Sequence, residues 1–396
     1  MVPSDFFEEN QTVGFKREIP KKHERFLKDV IAFSNTSGGR IVVGVEDETG
    51  TVIGIGDRSP HQLADTISKM IFDSLEPQIV ADIYPATLEE KTVIFIDVPP
   101  GKFRPYYLKN VGFEKSTYVR INGISVPATE RMIRELQIEG KKICYDTMIE
   151  IGLNYNEDEA LKLCREMKKE ALKYYSSNEE NKIYDIDIQK LEDFGVLKRE
   201  GSKLYPTHAF TLLTQNNIPF ARIQCARFKD DSKKIFTDKR EFSGPLYQQL
   251  SEAYKFVLNN INLSAEIVGL YRKETYELPP LAIREALSNA LIHRSYLIES
   301  CIQVSVFDDR VVVYSPGMLY DGLDIATVRL GTSRCRNRAL GEAFRYMRMS
   351  ELWGTGIPRM IQACAEYGLA EPLFQTIGDG FQVVFLRKNY SASNAQ

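Results

Sequence analysis

Residues 284–296 read Arg-Glu-Ala-Leu-Ser-Asn-Ala-Leu-Ile-His-Arg-Ser-Tyr, and this spacing leaves the chain few choices. Ile283, Ala286, Leu287, Ala290 and Leu291 recur at i, i+3, i+4, i+7 and i+8, so one stripe of a helix is built for burial. Glu285, Asn289 and His293 follow at four-residue steps on a separate face. Such a helix is backed by a core and presents an acid, a carboxamide and an imidazole to whatever lies opposite. The spacing alone equally allows a helix whose polar face merely carries Glu and Asn.

The segments that follow narrow the reading. Residues 301–307 and 310–314 are β-branched runs separated by Asp308-Asp309, which predicts a hairpin of core strands. The second run ends in Ser315-Pro316-Gly317. Arg329, Arg334, Arg336 and Arg338 then surround Gly331-Thr332-Ser333 and Asn337, and residues 353–358 (Trp-Gly-Thr-Gly-Ile-Pro) lead into an apolar-periodic segment at 360–367. Glycine ahead of a helix lets backbone N–H groups approach phosphate oxygens, and the helix N-terminus favours their charge.

The order helix, hairpin, Pro-Gly turn, basic lid, Gly-x-Gly helix and last strand (381–386) resembles the GHKL-type ATPases, the superfamily of gyrase B subunits, histidine kinases and mismatch-repair ATPases. It resembles more narrowly the divergent ATPase domain found at the C-terminus of many bacterial regulators, whose His-Arg-x-Tyr run is matched by His293, Arg294 and Tyr296. The resemblance spans residues 270–390 and implies ATP and Mg²⁺ as cofactors. Under it, Glu285 is the catalytic residue that orients and deprotonates water, and Asn289 is the Mg²⁺ ligand. Arg334 and Arg338 neutralise phosphate charge, Gly354 and Gly356 let the chain approach the phosphates, and His293 and Gly317 complete the cofactor-binding set. One departure stands out. GHKL proteins carry an aspartate just before the first glycine of the turn, where it accepts the adenine amino group, and Ser315-Pro316 occupies that place here. Asp321, Asp324 or backbone groups are the substitutes available, and a pocket for another ligand is the alternative.

At the other end, residues 9–16 read as a short strand, and residues 22–35 are helical through Phe26, Val30 and Phe33. Gly38-Gly39 ends the helix, residues 40–45 form a compact apolar strand, and a turn leads to residues 51–55. The helix end at 32–39 (Ala-Phe-Ser-Asn-Thr-Ser-Gly-Gly) and the strand end at 43–47 (Val-Gly-Val-Glu-Asp) resemble the Schlafen/AlbA-type domain. The match continues through residues 92–98 and from Arg104-Pro105 to residues 118–123, and covers the first 130 residues. Some members of that family cleave RNA with three carboxylates around a divalent metal. Glu9 and Asp47 fit two of those positions, and Gly14 stands where the third Glu is expected. The domain therefore reads as a nucleic-acid-binding module or a degenerate nuclease. Lys16, Arg17, Asn35, Arg40, Arg104 and Arg120 are its candidate nucleic-acid residues, with Tyr106, Tyr107 and Phe113 as candidate stacking platforms. A solvated basic face over core aromatics is the plainer alternative.

At 396 residues the chain is long enough for two or three domains with sizeable cores. Its net charge of −3 means that any nucleic-acid contact comes from a local patch and not from the whole surface. Six cysteines without a Cys-x-x-Cys pair, and only four histidines, give no zinc-type spacing. With no signal-like N-terminus and no membrane-spanning run, the expected location is cytoplasmic and no membrane partner is expected. Residues 131–269 read as a mixed connecting region: helices at 130–139 and 156–175, the latter with a face of Ala160, Leu163, Met167 and Leu172, and a linker at 176–182. A small winged unit follows at 185–198 with Gly195 as helix cap, then strand-rich segments at 206–213 and 220–228.

The sequence thus predicts an α+β chain. A Schlafen/AlbA-like domain (1–130) and a GHKL-like α/β sandwich (270–390) are joined by the connecting region, in a nucleotide-binding, DNA- or RNA-binding transcriptional regulator. Lid ordering on ATP that alters association of two copies, a homodimer, is the expected coupling. A metal-dependent RNA endonuclease and a non-enzymatic interaction protein with vestigial sites remain the alternatives.

Overall fold

The computed structural model describes residues 11–20, 23–47, 49–121, 123–173, 184–215, 218–268, 271–350 and 354–387. They form an α+β structure of two compact units, Met1–Ile143 with Asp321–Asp324 and Cys144–Tyr320 with Ile325–Gln396.

In the first unit, β1 (Val13–Lys16), α1 (His23–Asn35) and β2 (Gly39–Val43) make a strand-helix-strand crossover, with β1 and β2 parallel and Gly14 opposite Ile41. Phe26, Val30 and Phe33 of α1 are fully buried, which is what their helical spacing requires. After α2 (Pro60–Ser74) and β3 (Leu75–Glu76), the hairpin of β4 (Asp82–Leu88) and β5 (Lys91–Val98) completes a sheet of order β1-β2-β5-β4. Ile41, Val43, Ile94 and Ile96 pack on α1 and α2, while Val42, Val93 and Phe95 join Phe15 on the other face. β6 (Tyr107–Leu108) pairs with β3, and α3 (Phe113–Ser116), the hairpin of β7 (Tyr118–Ile121) and β8 (Ile124–Pro127), and α4 (Glu130–Gly140) follow. Thr129 caps α4 by accepting from the Met132 N–H. In the stretch expected as a strand at 51–55, only Val52 makes a bridge, to Val45.

The second unit opens with a 3₁₀ turn at Tyr145–Thr147 and α5 (Glu157–Leu172), capped by Asn156. Ala160, Leu163 and Met167 are buried as the spacing predicts, but Ala171 and not Leu172 extends the face. The linker expected at 176–182 lies outside the described residues. α6 (Ile188–Phe194) ends at Gly195, which is left-handed at φ 82°, and leads into the hairpin of β9 (Leu197–Glu200) and β10 (Lys203–Pro206). The strand expected at 206–213 is instead α7 (His208–Thr214), with Ala209, Phe210, Leu212 and Leu213 buried. A short apolar run fits a strand or a fully buried helix equally well, and here surrounding helices decide it.

Then come β11 (Ile223–Phe228), β12 (Phe236–Phe242), α8 (Leu246–Asn259), β13 (Leu263–Val268), β14 (Tyr271–Tyr276) and α9 (Pro280–His293). The chain continues through β15 (Ile302–Val306), β16 (Arg310–Pro316), α10 (Ile325–Arg329), α11 (Arg338–Tyr346), α12 (Gly356–Glu366), β17 (Leu373–Ile377) and β18 (Gly380–Leu386). Six strands form one sheet, β12-β11-β15-β16-β18-β17, antiparallel except for β11 beside β15. α8 covers β11 and β12, α9 covers β16, and α9 packs between α8 and α12.

The connecting region expected at 131–269 is therefore divided. Residues 131–143 group with the first unit, and β11, β12 and α8 are built into the sheet and helices of the second. One hydrophobic core runs from Ala160 to Phe385, because α8 needs the β11 side of the sheet to bury Leu250, Ala253 and Val257.

Candidate functional site

The stripe Ile283, Ala286, Leu287, Ala290 and Leu291 of α9 is buried as its spacing demands. The opposite row is covered as well: Glu285 is only 1% exposed, Ser288 is buried and Asn289 is half-buried. The cause is α12, which crosses that face. A Cβ built on Gly356, the first residue of α12, would lie 3.0 Å from Asn289 Nδ2 and 3.2 Å from Glu285 Oε2. Glycine at 356 thus brings the acid and the amide of α9 against the opening turn of α12, where the N–H groups of Gly356 and Ile357 precede the helical ladder and the helix dipole favours negative charge. Arg359 Nη1 of α12 and Arg284 Nη2 of α9 each stand 3.5 Å from Glu285 Oε1.

One carboxylate, one carboxamide, two guanidiniums and a helix N-terminus therefore share one small volume. Asn289 supplies a single neutral oxygen, and among the described residues no group of three or more His, Cys, Asp or Glu could hold a metal by itself. A divalent cation at Asn289 would take its other ligands from water and phosphate, which is the habit of Mg²⁺ and fits the residues present.

The lid is anchored to the end of α9. Arg336 donates to the His293 carbonyl at 2.9 Å and to the Met318 carbonyl at 2.7 Å. The fully buried Asn337 donates to the carbonyls of Ile292 and Arg294 at 2.7 and 2.8 Å, and so satisfies acceptors that the end of a helix leaves open. The His293 ring bonds the Arg334 main chain, and burial with the nearby Arg336 charge pushes its pKa down to about 4. Its imidazole is therefore neutral at physiological pH and ties α9 to the lid. Gly317 packs on Arg336 and Ser295, and its N–H donates to the Asp379 carbonyl at 2.8 Å. Gly354 adopts φ 71°, and a Cβ there would fall on the Gly331 carbonyl oxygen, so the lid and the glycine loop touch main chain to main chain. Arg334 and Arg338 are exposed, while Arg329 pairs with Glu371 at 2.6 Å.

Arg294 and Tyr296 serve the scaffold. The buried Arg294 guanidinium donates to the carbonyls of Phe220, Ile298 and Ser300, and the Tyr296 hydroxyl donates to Leu291 O at 2.9 Å. Sequence reasoning named Arg284, Arg336 and Asn337 without giving them a role, and missed Arg359. It also missed Asp146, which is fully buried in the 3₁₀ turn and accepts from the Leu340 N–H at 2.9 Å, capping α11. A legible hint existed for Arg359: a cation early in a helix opposes the dipole and needs an anion beside it.

In the first unit the structure uses most of the expected nucleic-acid residues internally. Asn35 is buried, donates to the carbonyls of Tyr106 and Tyr118 and accepts from the Tyr106 N–H. Arg104 is buried on the carbonyls of Ser34 and Thr36 and on Glu139. Arg120 is buried on Val13 O, Ser125 and Asp29, over the Phe33 ring. Arg40 forks onto Asp97 beside Tyr84 and lies over the Phe95 ring. Lys16 bridges Asp29 and Asp47 at 3.4 and 3.3 Å. Asn35, Arg104 and Arg120 are thus buried, and Lys16 and Arg40 partly buried, with carbonyls and acids distant in sequence converging on them. Of the six, Arg17 remains exposed, near Glu46. Tyr106 is buried, and Tyr107 and Phe113 pair edge-to-face. Lys102, Phe103 (63% exposed), Lys109 and Lys115 are exposed, as are Arg25, Arg58, Lys69, Lys91 and Arg134. Asp47 accepts from the Arg17 N–H at 3.1 Å, and Glu9 lies outside the described residues.

Residues 9–129 match the family model "Schlafen, AlbA_2", and residues 299–385 match the model described as "Putative ATP-dependent DNA helicase recG C-terminal". The two matches give a two-domain architecture, Schlafen/AlbA-like at the N-terminus and ATPase-like at the C-terminus. Among solved structures it is similar to the DIP2311 protein from Corynebacterium diphtheriae, at 21% identity over 95% of this chain and 75% of that one, with a TM-score of 0.50. It is also similar to the N-terminal domain of a RecG-related protein from Nitrosomonas europaea, at 21% identity over 31% of this chain and 85% of that one, with a TM-score of 0.25. No curated protein matches. No described helix is long and apolar enough to cross a membrane.

Proposed function

We propose that this chain binds Mg·ATP between α9 and α12 and associates with nucleic acid through its N-terminal unit, as a cytoplasmic regulator. One observation carries the nucleotide part: Glu285 and Asn289 meet the opening turn of α12 at Gly356. In this reading α12 offers its amides to phosphate, Asn289 holds the Mg²⁺ brought by the nucleotide, and the exposed Arg334 and Arg338 close over the phosphates. When bound, Mg²⁺ would draw charge from the phosphates, and Glu285 is the residue that would orient the attacking water. The nucleic-acid part rests on the two family matches and on the exposed Arg17, Lys102, Phe103, Lys109 and Lys115. Six free cysteines accord with a reducing compartment. The nuclease alternative is weaker, since Asp47 is engaged by Lys16 and the Arg17 main chain and Gly14 lies within β1.

Calorimetric titration with Mg·ATP tests the nucleotide reading. Wild-type protein should release or absorb heat with saturation, and Asn289→Ala should weaken Mg·ATP by about tenfold or more while leaving metal-free ATP less affected. Asn289→Ala behaving like wild type would remove Asn289 from the site.

A further inference from the structure

We propose that the first unit takes an unpaired base carrying an exocyclic amino group, from a single strand of nucleic acid, into the cleft between the start of α1, the end of α2 and the turn after β6. This deepens the nucleic-acid reading above and rests on it. The cleft has a volume of about 970 Å³, room for a nucleotide with part of its backbone. Its walls are held by main-chain bonds. Leu75 of β3 faces Leu108 of β6 in their ladder, and the Lys109 N–H donates to the Ser74 carbonyl at 2.9 Å. The N–H groups of Val111 and Gly112 both return to the Leu108 carbonyl, at 3.1 and 3.0 Å. Leu27 and Leu108 line the floor and belong to the core under α1 and α2.

The polar side chains on those walls are unengaged. Glu24, Asp73, Lys109 and Asn110 all line the cleft and are exposed, and none of the four side chains bonds or ion-pairs with another described residue. Elsewhere in this unit charges find partners: Arg40 has Asp97, Arg104 has Glu139, and Lys16 and Arg120 have Asp29. Fixed walls carrying free donors and acceptors cost little to organise around a ligand.

The chemistry of these groups selects the ligand. The two carboxylates only accept, so they repel phosphate and take N–H bonds from an amine. Lys109 only donates, and holds a phosphate as a point charge. Asn110 both donates and accepts, which suits the ring nitrogen and carbonyl on the edge of a base. Leu27 and Leu108 offer the base an apolar surface. A strand satisfies all of them with its phosphate at Lys109 and its base inward, whereas a basic peptide meets Lys109 as a like charge. Cytosine, adenine and guanine carry the required amine. Uracil and thymine present carbonyl oxygens, which a carboxylate rejects.

Fluorescence anisotropy of the full chain with labelled oligocytidylate and oligouridylate, in ribo and deoxy forms, tests this. Wild type should bind the cytidine strand about tenfold more tightly than the uridine strand, the worth of one charge-assisted base contact. Glu24→Ala combined with Asp73→Ala should bring the two affinities within about twofold of each other. Lys109→Ala should weaken both strands and lower the salt slope by about one. Cytidine monophosphate should compete about a hundredfold more weakly than the strand, which adds phosphate contacts; equal competition would assign the cleft to a free nucleotide and overturn the strand. Equal wild-type affinity for the two strands, or a preference that survives the double substitution, overturns the cleft and leaves nucleic-acid association standing. A lysine-rich peptide bound by wild type and lost in the double variant, with no preference between strands, overturns the base in favour of a basic protein segment. Wild type binding no oligonucleotide sinks the nucleic-acid reading itself, a result distinct from these.

Discussion

Asp146 is a single residue whose environment sets a measurable pH dependence. Burial pushes its carboxyl pKa up to about 7, against the lowering effect of the Leu340 and Ala339 N–H groups. The folded protein therefore keeps a proton that the unfolded chain releases between the ordinary value of 3.8 and about 7. Its stabilising contribution is complete below that window and is lost as pH rises through it, by on the order of 4 kcal/mol. His293 acts in the opposite sense. With its pKa lowered from 6.5 to about 4, the unfolded chain takes up a proton that the fold refuses, so stability falls as pH drops through that range. Asp146→Asn keeps an acceptor for the Leu340 N–H and removes only the first effect. Thermal melts should show the variant more stable than wild type at about pH 8 and with a steeper loss of Tm below pH 6.5. Parallel Tm-against-pH curves for the two proteins would contradict this. At the same scale, Glu285 and Asn289 were legible because a four-residue step puts them on one face whatever the tertiary structure. The fate of Arg104 and Arg120 was not, since the carbonyls and acids that absorb them come from α1, β1 and α4, and residue type does not encode such convergence.

Elements with strong periodicity were readable, and those with short apolar runs were not. α1, α9 and α12 and the hairpin of β15 and β16 fall within a few residues of the expected positions, because each carries its own stripe or alternation. α7 was read as strand-rich because five apolar or β-branched residues in a row fix no period. In the lid, Arg334 and Arg338 are the expected phosphate ligands, while Arg336 and Asn337, to which the sequence assigns no role, close the C-terminal end of α9. Asn337→Ala should strip donors from two buried carbonyls and cost about 2–4 kcal/mol. Urea unfolding measures this, and hydrogen exchange should show the last turn of α9 opening before the rest of the helix. A variant as stable as wild type would show that the lid does not secure α9.

For the whole molecule, the two family matches and the α+β class agree with the sequence reading, while the middle of the chain does not form a body of its own. Its helices and strands each bury one face against segments far along the chain, so local pattern could not assign them to a unit. Net charge of −3 left the nucleic-acid surface undecided, and Arg104 and Arg120 are buried on partners of their own while Arg17 is exposed and Arg40 partly so. The prediction for that surface is accordingly narrow. Binding of a labelled single-stranded oligonucleotide should weaken with salt, and Lys102→Ala with Phe103→Ala should reduce affinity by about tenfold or more. Asn35→Ala should lower stability instead, by about 1–3 kcal/mol. An oligonucleotide affinity indifferent to Lys102 and Phe103 would move the contact elsewhere.

The claim on which the functional account depends is that a nucleotide enters between α9 and α12. Hydrogen exchange followed by mass spectrometry, with and without saturating Mg·ATP, tests it at peptide resolution. The account predicts protection concentrated in the peptides of α9, the 331–338 lid and the start of α12. Protection confined to other segments, or none at all, would contradict it.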